Sequence, residues 1–156
     1  MSEMVSGAVV LRPGEGRSID LGNFKMSVRA TGDMTNGSFS LLEADEPPNF
    51  GPPLHIHHDA DEAFYVLSGE YVIFVDGREF TCPAGSFIYI PTGVQHGFRV
   101  GRMPSRKLNL YTPAAMVGYF DDLALALKAG ATDEVVSEIA RRYSMEVIGP
   151  VSEGYV

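Results

Sequence analysis

Four histidines stand in this chain of 156 residues, and three of them, His55, His57 and His58, fall within four positions. In a β-strand, residues two apart project from the same face, about 7 Å apart along the chain. His55 and His57 could therefore present two imidazoles to one ion. Glu62 lies an odd number of residues past His57, so simple alternation would turn it away. The intervening His58-Asp59-Ala60-Asp61 reads as a turn that resets the direction, so that Glu62 can begin a neighbouring strand and face the same centre. His96 follows Pro91-Thr92-Gly93, a tight turn into another strand. Three imidazoles and a carboxylate form a nitrogen and oxygen donor set. Such a set suits one divalent transition metal (Fe, Ni, Co, Mn, Cu or Zn) better than calcium. A lone His-x-His would read more simply as a surface pair. Glu62 and His96, each beside a turn, tip the reading toward a metal site.

The other reactive side chains read more plainly. His58 is a loop residue or lies just outside the ligand set. Asp59, Asp61 and Glu70 form a solvated rim. Cys82, beside Pro83, is a packed small residue, because nothing near it in sequence would lower a thiol pKa.

The elements that must position these groups are mostly short strands. Seventeen Gly and ten Pro imply many turns. Ala8–Leu11 is apolar and runs into Pro13-Gly14-Glu15-Gly16. Phe24–Ala30 alternates, with Phe24, Met26, Val28 and Ala30 on one face and Lys25, Ser27 and Arg29 on the other. Ser38–Glu43, Ala63–Leu67, Tyr71–Val75, Phe87–Ile90, Gln95–Val100 and Lys107–Tyr111 are further strand candidates. Ser68-Gly69 and Asp76-Gly77 mark turns between them. Pro47–Pro53 holds four prolines and cannot be regular structure. After Pro113 the period changes. Met116, Val117, Phe120, Leu123 and Leu127 recur at helical spacing before a stop at Gly130. Thr132 can cap a second helix whose apolar stripe is Val135, Val136, Ile139 and Ala140.

The expectation is one domain over residues 1–156: a mainly β barrel over about 8–112 and a helical C-terminal extension over about 113–156. Hydrophobic residues make up 45% of the chain, enough for a core. A net charge of −8 argues against nucleic acid or an anionic membrane surface as partner. No apolar run approaches the roughly 20 residues a membrane helix needs. Met1–Gly16 lacks the basic-then-apolar order of a signal peptide. The single cysteine fits a reducing compartment, so a cytoplasmic protein is expected.

Two motifs carry a family resemblance. The first is His55-x-His57, four residues, Glu62, six residues, Gly69. The second is Gly85, five residues, Pro91-x-Gly93, two residues, His96. Together they resemble the paired motifs of the cupins. Asn49 stands where the first motif usually has glycine, with Gly51 close by, and Val100 stands where the second usually has asparagine. The segments Gly51–His57, Glu62–Gly69 and Ala140–Pro150 further resemble quercetinase-type bacterial monocupins. The resemblance implies a jelly-roll β-barrel with two C-terminal helices, a metal held inside by His55, His57, Glu62 and His96, and a homodimer. It also implies a dioxygenase that consumes O2 while opening a flavonol-like or other enol or aromatic small molecule. Glu62 would ligate or, if burial raised its pKa, act as general base. By strand parity Phe64 and Val66 after Glu62, Phe98 after His96, and Leu108 with Leu110 on the last strand would line an apolar substrate pocket. Each of these is equally explained as ordinary core. Met116 and Phe120 could cover its mouth, and Tyr65, Gln95 and Arg99 are candidates for reading a substrate. A non-catalytic metal or small-ligand binding cupin, and a cupin isomerase or lyase, use the same ligands and stay open as alternatives.

Overall fold

The computed structural model describes residues 3–151. In chain order its elements are β1 (Glu3–Val5), β2 (Ala8–Val10), β3 (Arg17–Asp20), β4 (Lys25–Ala30), α1 (Gly32–Thr35), β5 (Ser40–Glu46), β6 (Leu54–His57) and β7 (Asp61–Ser68). There follow β8 (Glu70–Val75), β9 (Arg78–Pro83), β10 (Phe87–Ile90), β11 (His96–Val100), β12 (Ser105–Thr112), α2 (Met116–Lys128), α3 (Asp133–Arg142) and β13 (Met145–Gly149). Two antiparallel sheets carry the fold. One has six strands in the order β10-β7-β12-β5-β4-β3, the other five in the order β13-β6-β11-β8-β9. They make a jelly-roll-like pair rather than a barrel closed by one continuous ladder. β1 and β2 form a separate hairpin.

Local sequence accounts for the turns that set this topology. Asp76 and Gly77 both take positive φ, and Val75 pairs directly with Arg78, so the expected hairpin joins β8 to β9. Gly69 has φ +77, and a Cβ there would fall 2.1 Å from Ser105 Oγ, so the β7–β8 turn excludes any other residue. Asn49 takes φ +64, the left-handed conformation that asparagine tolerates better than other non-glycine residues. Its N–H bonds Gly101 O at 3.1 Å. That conformation explains how asparagine can stand where the motif usually has glycine.

The helices follow their expected bounds. Thr132 caps α3 by accepting a hydrogen bond from Val135 N, and Gly130 has φ +72 beyond the end of α2. Leu127 and Val135, assigned by periodicity to the apolar stripes, are exposed at 44% and 46%. The core beneath the helices contains Met116, Val117, Ile139 and Ala140, packed on Ile19, Met26, Val28 and Leu42 of the six-stranded sheet. A second cluster, Phe50, Val66, Tyr71, Ile73, Phe98 and Val100, fills part of the space between the sheets.

Two features depart from the sequence reading. β1, β3 and β9 were not expected as strands, nor α1 as a helix. The tail after α3 does more than pack on the sheets: β13 pairs with β6, with Met145 opposite His57 and Val147 opposite His55. No helix among the described residues is long and apolar enough to cross a membrane.

Candidate metal centre

The four proposed ligands come from both sheets. β6 brings His55 and His57 to one face, and β11 pairs His96 directly opposite His55. These three belong to the five-stranded sheet. Glu62 reaches in from β7 of the other sheet, after the 58–60 turn has reversed the chain as expected. One potential ligand atom from each residue lies within 4.8 Å of the others. The ring centroids of His55 lie 4.9 Å from His57 and 4.4 Å from His96. His57, Glu62 and His96 are buried, and His55 is partly buried.

The second ring nitrogens of His55 and His96 are held as metal-binding imidazoles require. His55 Nδ1–H donates to Pro53 O at 2.8 Å, and His96 Nδ1–H donates to Val94 O at 3.0 Å. Each bond fixes the ring orientation and leaves Nε2 facing the centre. His96 Nε2 stands 2.6 Å from Glu62 Oε1. His57 Nε2 stands 3.3 Å from the same oxygen, yet it is off the hydrogen-bond line, and both His57 ring nitrogens are buried without a partner. Unpartnered buried nitrogens are rare in folded proteins. A cation would satisfy His57 Nε2, so the donor set fits a transition metal.

Electrostatics favour an ionised carboxylate among the imidazoles. Burial, and then the neighbouring His96, push His55 down to about 3. Burial alone would raise the Glu62 carboxyl, but contacts with His57 and His96 outweigh it and hold the group well below its ordinary value. The condition set for a general-base role, a pKa raised by burial, is therefore not met, and the ionised form is the one a ligand needs. His96 is raised despite its burial, because it bonds Glu62.

The pocket expectation divides. Phe64, Val66 and Phe98 point between the sheets and are buried, with Phe64 6.5 Å from the His96 ring. Leu108 and Leu110 do not join them. They pair with Tyr65 and Ala63, on the opposite face from Glu62 and Phe64. The inward residues of β12 are Ser105, Lys107, Asn109 and Tyr111, all buried. Met116 is buried and Phe120 partly buried, and Phe120 packs 6.1 Å from the Tyr111 ring. Tyr65 is exposed on the outer face. His58 is exposed and bonds Glu146, and Cys82 is a free thiol raised mainly by burial.

Sequence reasoning missed Lys107, Asn109 and Tyr111 as interior groups. Tyr111 lies opposite Glu62, and its ring is 5.7 Å from that of His57. The available signal was the alternation of polar and apolar residues from Lys107 to Tyr111, which was read with the apolar face inward.

Two facing antiparallel sheets with three histidines and a glutamate between them define a jelly roll able to hold a metal. Residues 43–104 match the cupin domain model. It is 26% identical over 125 residues to quercetin 2,3-dioxygenase of Bacillus subtilis, covering 79% of this chain and 37% of that protein. It is 33% identical over 70 residues to an uncharacterised protein of Methanocaldococcus jannaschii, covering 44% of this chain and 56% of that one. The chain thus spans well under two thirds of either relative. Among solved structures, an RmlC-like cupin from Shewanella frigidimarina superposes with a TM-score of 0.61 at 19% identity, covering 69% of this chain and 93% of the other.

Proposed function

We propose that this chain is a metal-dependent dioxygenase that cleaves a flavonol-like or other enol or aromatic small molecule. The observation that carries the reading is the convergence of His55, His57, Glu62 and His96 within 4.8 Å. The similarity to a quercetin 2,3-dioxygenase over most of this chain supports the reaction type. His55, His57, Glu62 and His96 would hold one Fe, Ni, Co, Mn, Cu or Zn ion. When bound, the metal supplies Lewis acidity toward a substrate oxygen and a site at which O2 meets it.

The chain's own residues do the rest. The backbone carbonyls of Pro53 and Val94 orient two imidazoles. Phe64 and Phe98 exclude water beside the ligands. Glu62, held ionised, serves as ligand; its lowered pKa disfavours the general-base alternative. The test is O2 uptake by protein loaded with one metal at a time and given a panel of flavonols and β-diketones, after elemental analysis of natively purified protein. The expected result is uptake with at least one metal, abolished by His57→Ala. Turnover without O2 uptake would replace this reading with an isomerase or lyase. Tight ligand binding without turnover would replace it with a non-catalytic binding cupin.

A homodimer is part of the proposal. Tyr65, Phe87 and Tyr89 are 45%, 66% and 53% exposed side by side at the β10 edge of the six-stranded sheet, a larger apolar surface than scattered single residues make. Light scattering should give twice the chain mass, and Phe87→Arg should halve it. The cytoplasm is the compartment that the single thiol fits.

A further inference from the structure

The candidate ligands come from two sheets, and a connection between those sheets passes beside them. β10 lies in the six-stranded sheet, where Ile90 pairs with Glu62. β11 lies in the five-stranded sheet and opens at His96. The chain crosses from one to the other in residues 91–95. The separation between Glu62 and the imidazoles therefore depends on how this crossing is held.

The crossing is bonded to each of the strands it runs between and to a third. Pro91 fixes one backbone angle, Gly93 takes φ +86, and Val94 N–H donates to Pro91 O at 3.3 Å, closing a tight turn. The Asp61 carboxylate, expected on a solvated rim, accepts at Oδ1 from both the Thr92 N–H and the Thr92 hydroxyl, each at 2.8 Å. Asp61 is the first residue of β7 and the neighbour of Glu62. Gly93 N–H donates to the carbonyl of His57 itself at 2.8 Å. Val94 O accepts from His96 Nδ1–H at 3.0 Å. Three consecutive residues thus tie to β7, β6 and β11 in turn. The Gly93 bond is made by backbone alone and the Val94 bond by a ligand. Asp61 supplies an anchor from a side chain outside the converging ligand group. Bonds to an ionised acceptor are roughly twice as strong as neutral ones.

We infer that Asp61 is a positioning residue for the metal centre: through Thr92 it seats the 91–94 turn, and that turn sets His57, Glu62 and His96 at the spacing a cation needs. The inference rests on the metal-site reading and extends it. Groups that orient ligands from outside change metal affinity about 10–100-fold when lost. Asp61 acts through a turn and not on a ligand, so its loss falls at the lower end of that range.

The test uses the full chain, stripped of metal and titrated with Co(II), reading affinity and the visible ligand-field spectrum well below the melting temperature of each variant. Asp61→Ala should weaken binding about tenfold and change the spectrum, because the ligand spacing relaxes. Asp61→Asn keeps an acceptor oxygen without the charge and should restore most of both. Thr92→Val removes the hydroxyl bond alone and should fall between wild type and Asp61→Ala. The double variant should bind as Asp61→Ala does, since both act through one contact. Asp59→Ala removes a carboxylate from the adjoining turn and should match wild type. In metal-free protein the Gly93 amide should exchange faster in Asp61→Ala than in wild type. Unchanged exchange there would overturn the inference. Wild-type affinity and spectrum in Asp61→Ala would also overturn it while leaving the metal site intact, even if stability fell. A loss in Asp59→Ala equal to that in Asp61→Ala, or no recovery in Asp61→Asn, would replace positioning with a general effect of charge. If wild type takes up Co(II) no better than His57→Ala, the metal reading itself fails and the role of Asp61 falls with it.

Discussion

β4 and β12 both belong to the six-stranded sheet, separated only by β5, and they obey opposite rules. β4 turns Met26 and Val28 inward and Lys25, Ser27 and Arg29 outward, the usual half-buried pattern. β12 buries Ser105, Lys107, Asn109 and Tyr111 and leaves Leu108 and Leu110 partly exposed on the outer face. The inward side chains of β4 pack beneath α2 and α3. Those of β12 lie between a buried ion pair and the candidate metal ligands. Hydrophobic burial positions the first strand; polar contacts centred on Lys107, which pairs with Glu46 and bonds Asn109, help position the second. A polar interior is tolerated only where every group finds a partner, so it is concentrated where the site needs it.

The comparison predicts unequal costs. Lys107→Ala leaves the buried Glu46 carboxylate without its cation and should destabilise the protein by about 3–5 kcal/mol, read in urea melts. Replacing Lys107 by Met and Glu46 by Leu together should recover most of that loss. A loss below about 1 kcal/mol in Lys107→Ala would show that the Lys107–Glu46 pair contributes little to holding β12. Met26→Ala removes only apolar contact, and the same melts should show a drop of about 2–5 kcal/mol.

Acidity gives the next effect. The metal-free His96 has a raised pKa because it bonds Glu62, so a metal must displace a proton there. Affinity should therefore rise with pH until His96 is neutral. Below that point it should fall up to about tenfold per pH unit, roughly 1.4 kcal/mol. His55, held down to about 3, adds no competing proton near neutral pH. Calorimetry of Co(II) binding in buffers of different ionisation heat should thus report proton release. A pH-independent affinity would contradict the His96–Glu62 pairing. Smallest of all, Leu108→Ala on the outer face of β12 should cost no more than about 1 kcal/mol in a monomeric background. A loss as large as that of Met26→Ala would mean that the outward leucines are core after all.

Much of the site was legible in the sequence because its signals are local. The same-face spacing of His55 and His57, the turn before Glu62, and the Pro91–Gly93 turn before His96 each depend on a few neighbouring residues. The hairpin at Asp76-Gly77 and the Thr132 cap were legible for the same reason. The facing of β12 was not, because alternation identifies two faces without saying which is inward, and the apolar face was assumed to be buried. That rule fails where interior polar groups satisfy one another. β13 was missed because it is five residues long and is stabilised by a partner nearly ninety positions away. Local propensity carries little information about such a contact.

That last strand has a structural consequence. β6, bearing two of the four ligands, is flanked by β11 on one side and by β13 on the other. A chain cleaved after Ser144 would leave a row of backbone amides and carbonyls beside His55 and His57 with nothing to bond. Such a row recruits strands from other molecules. The tail therefore keeps the imidazole-bearing ribbon from becoming a polymerisation template, and a trimmed sample should show it by sedimenting as larger particles.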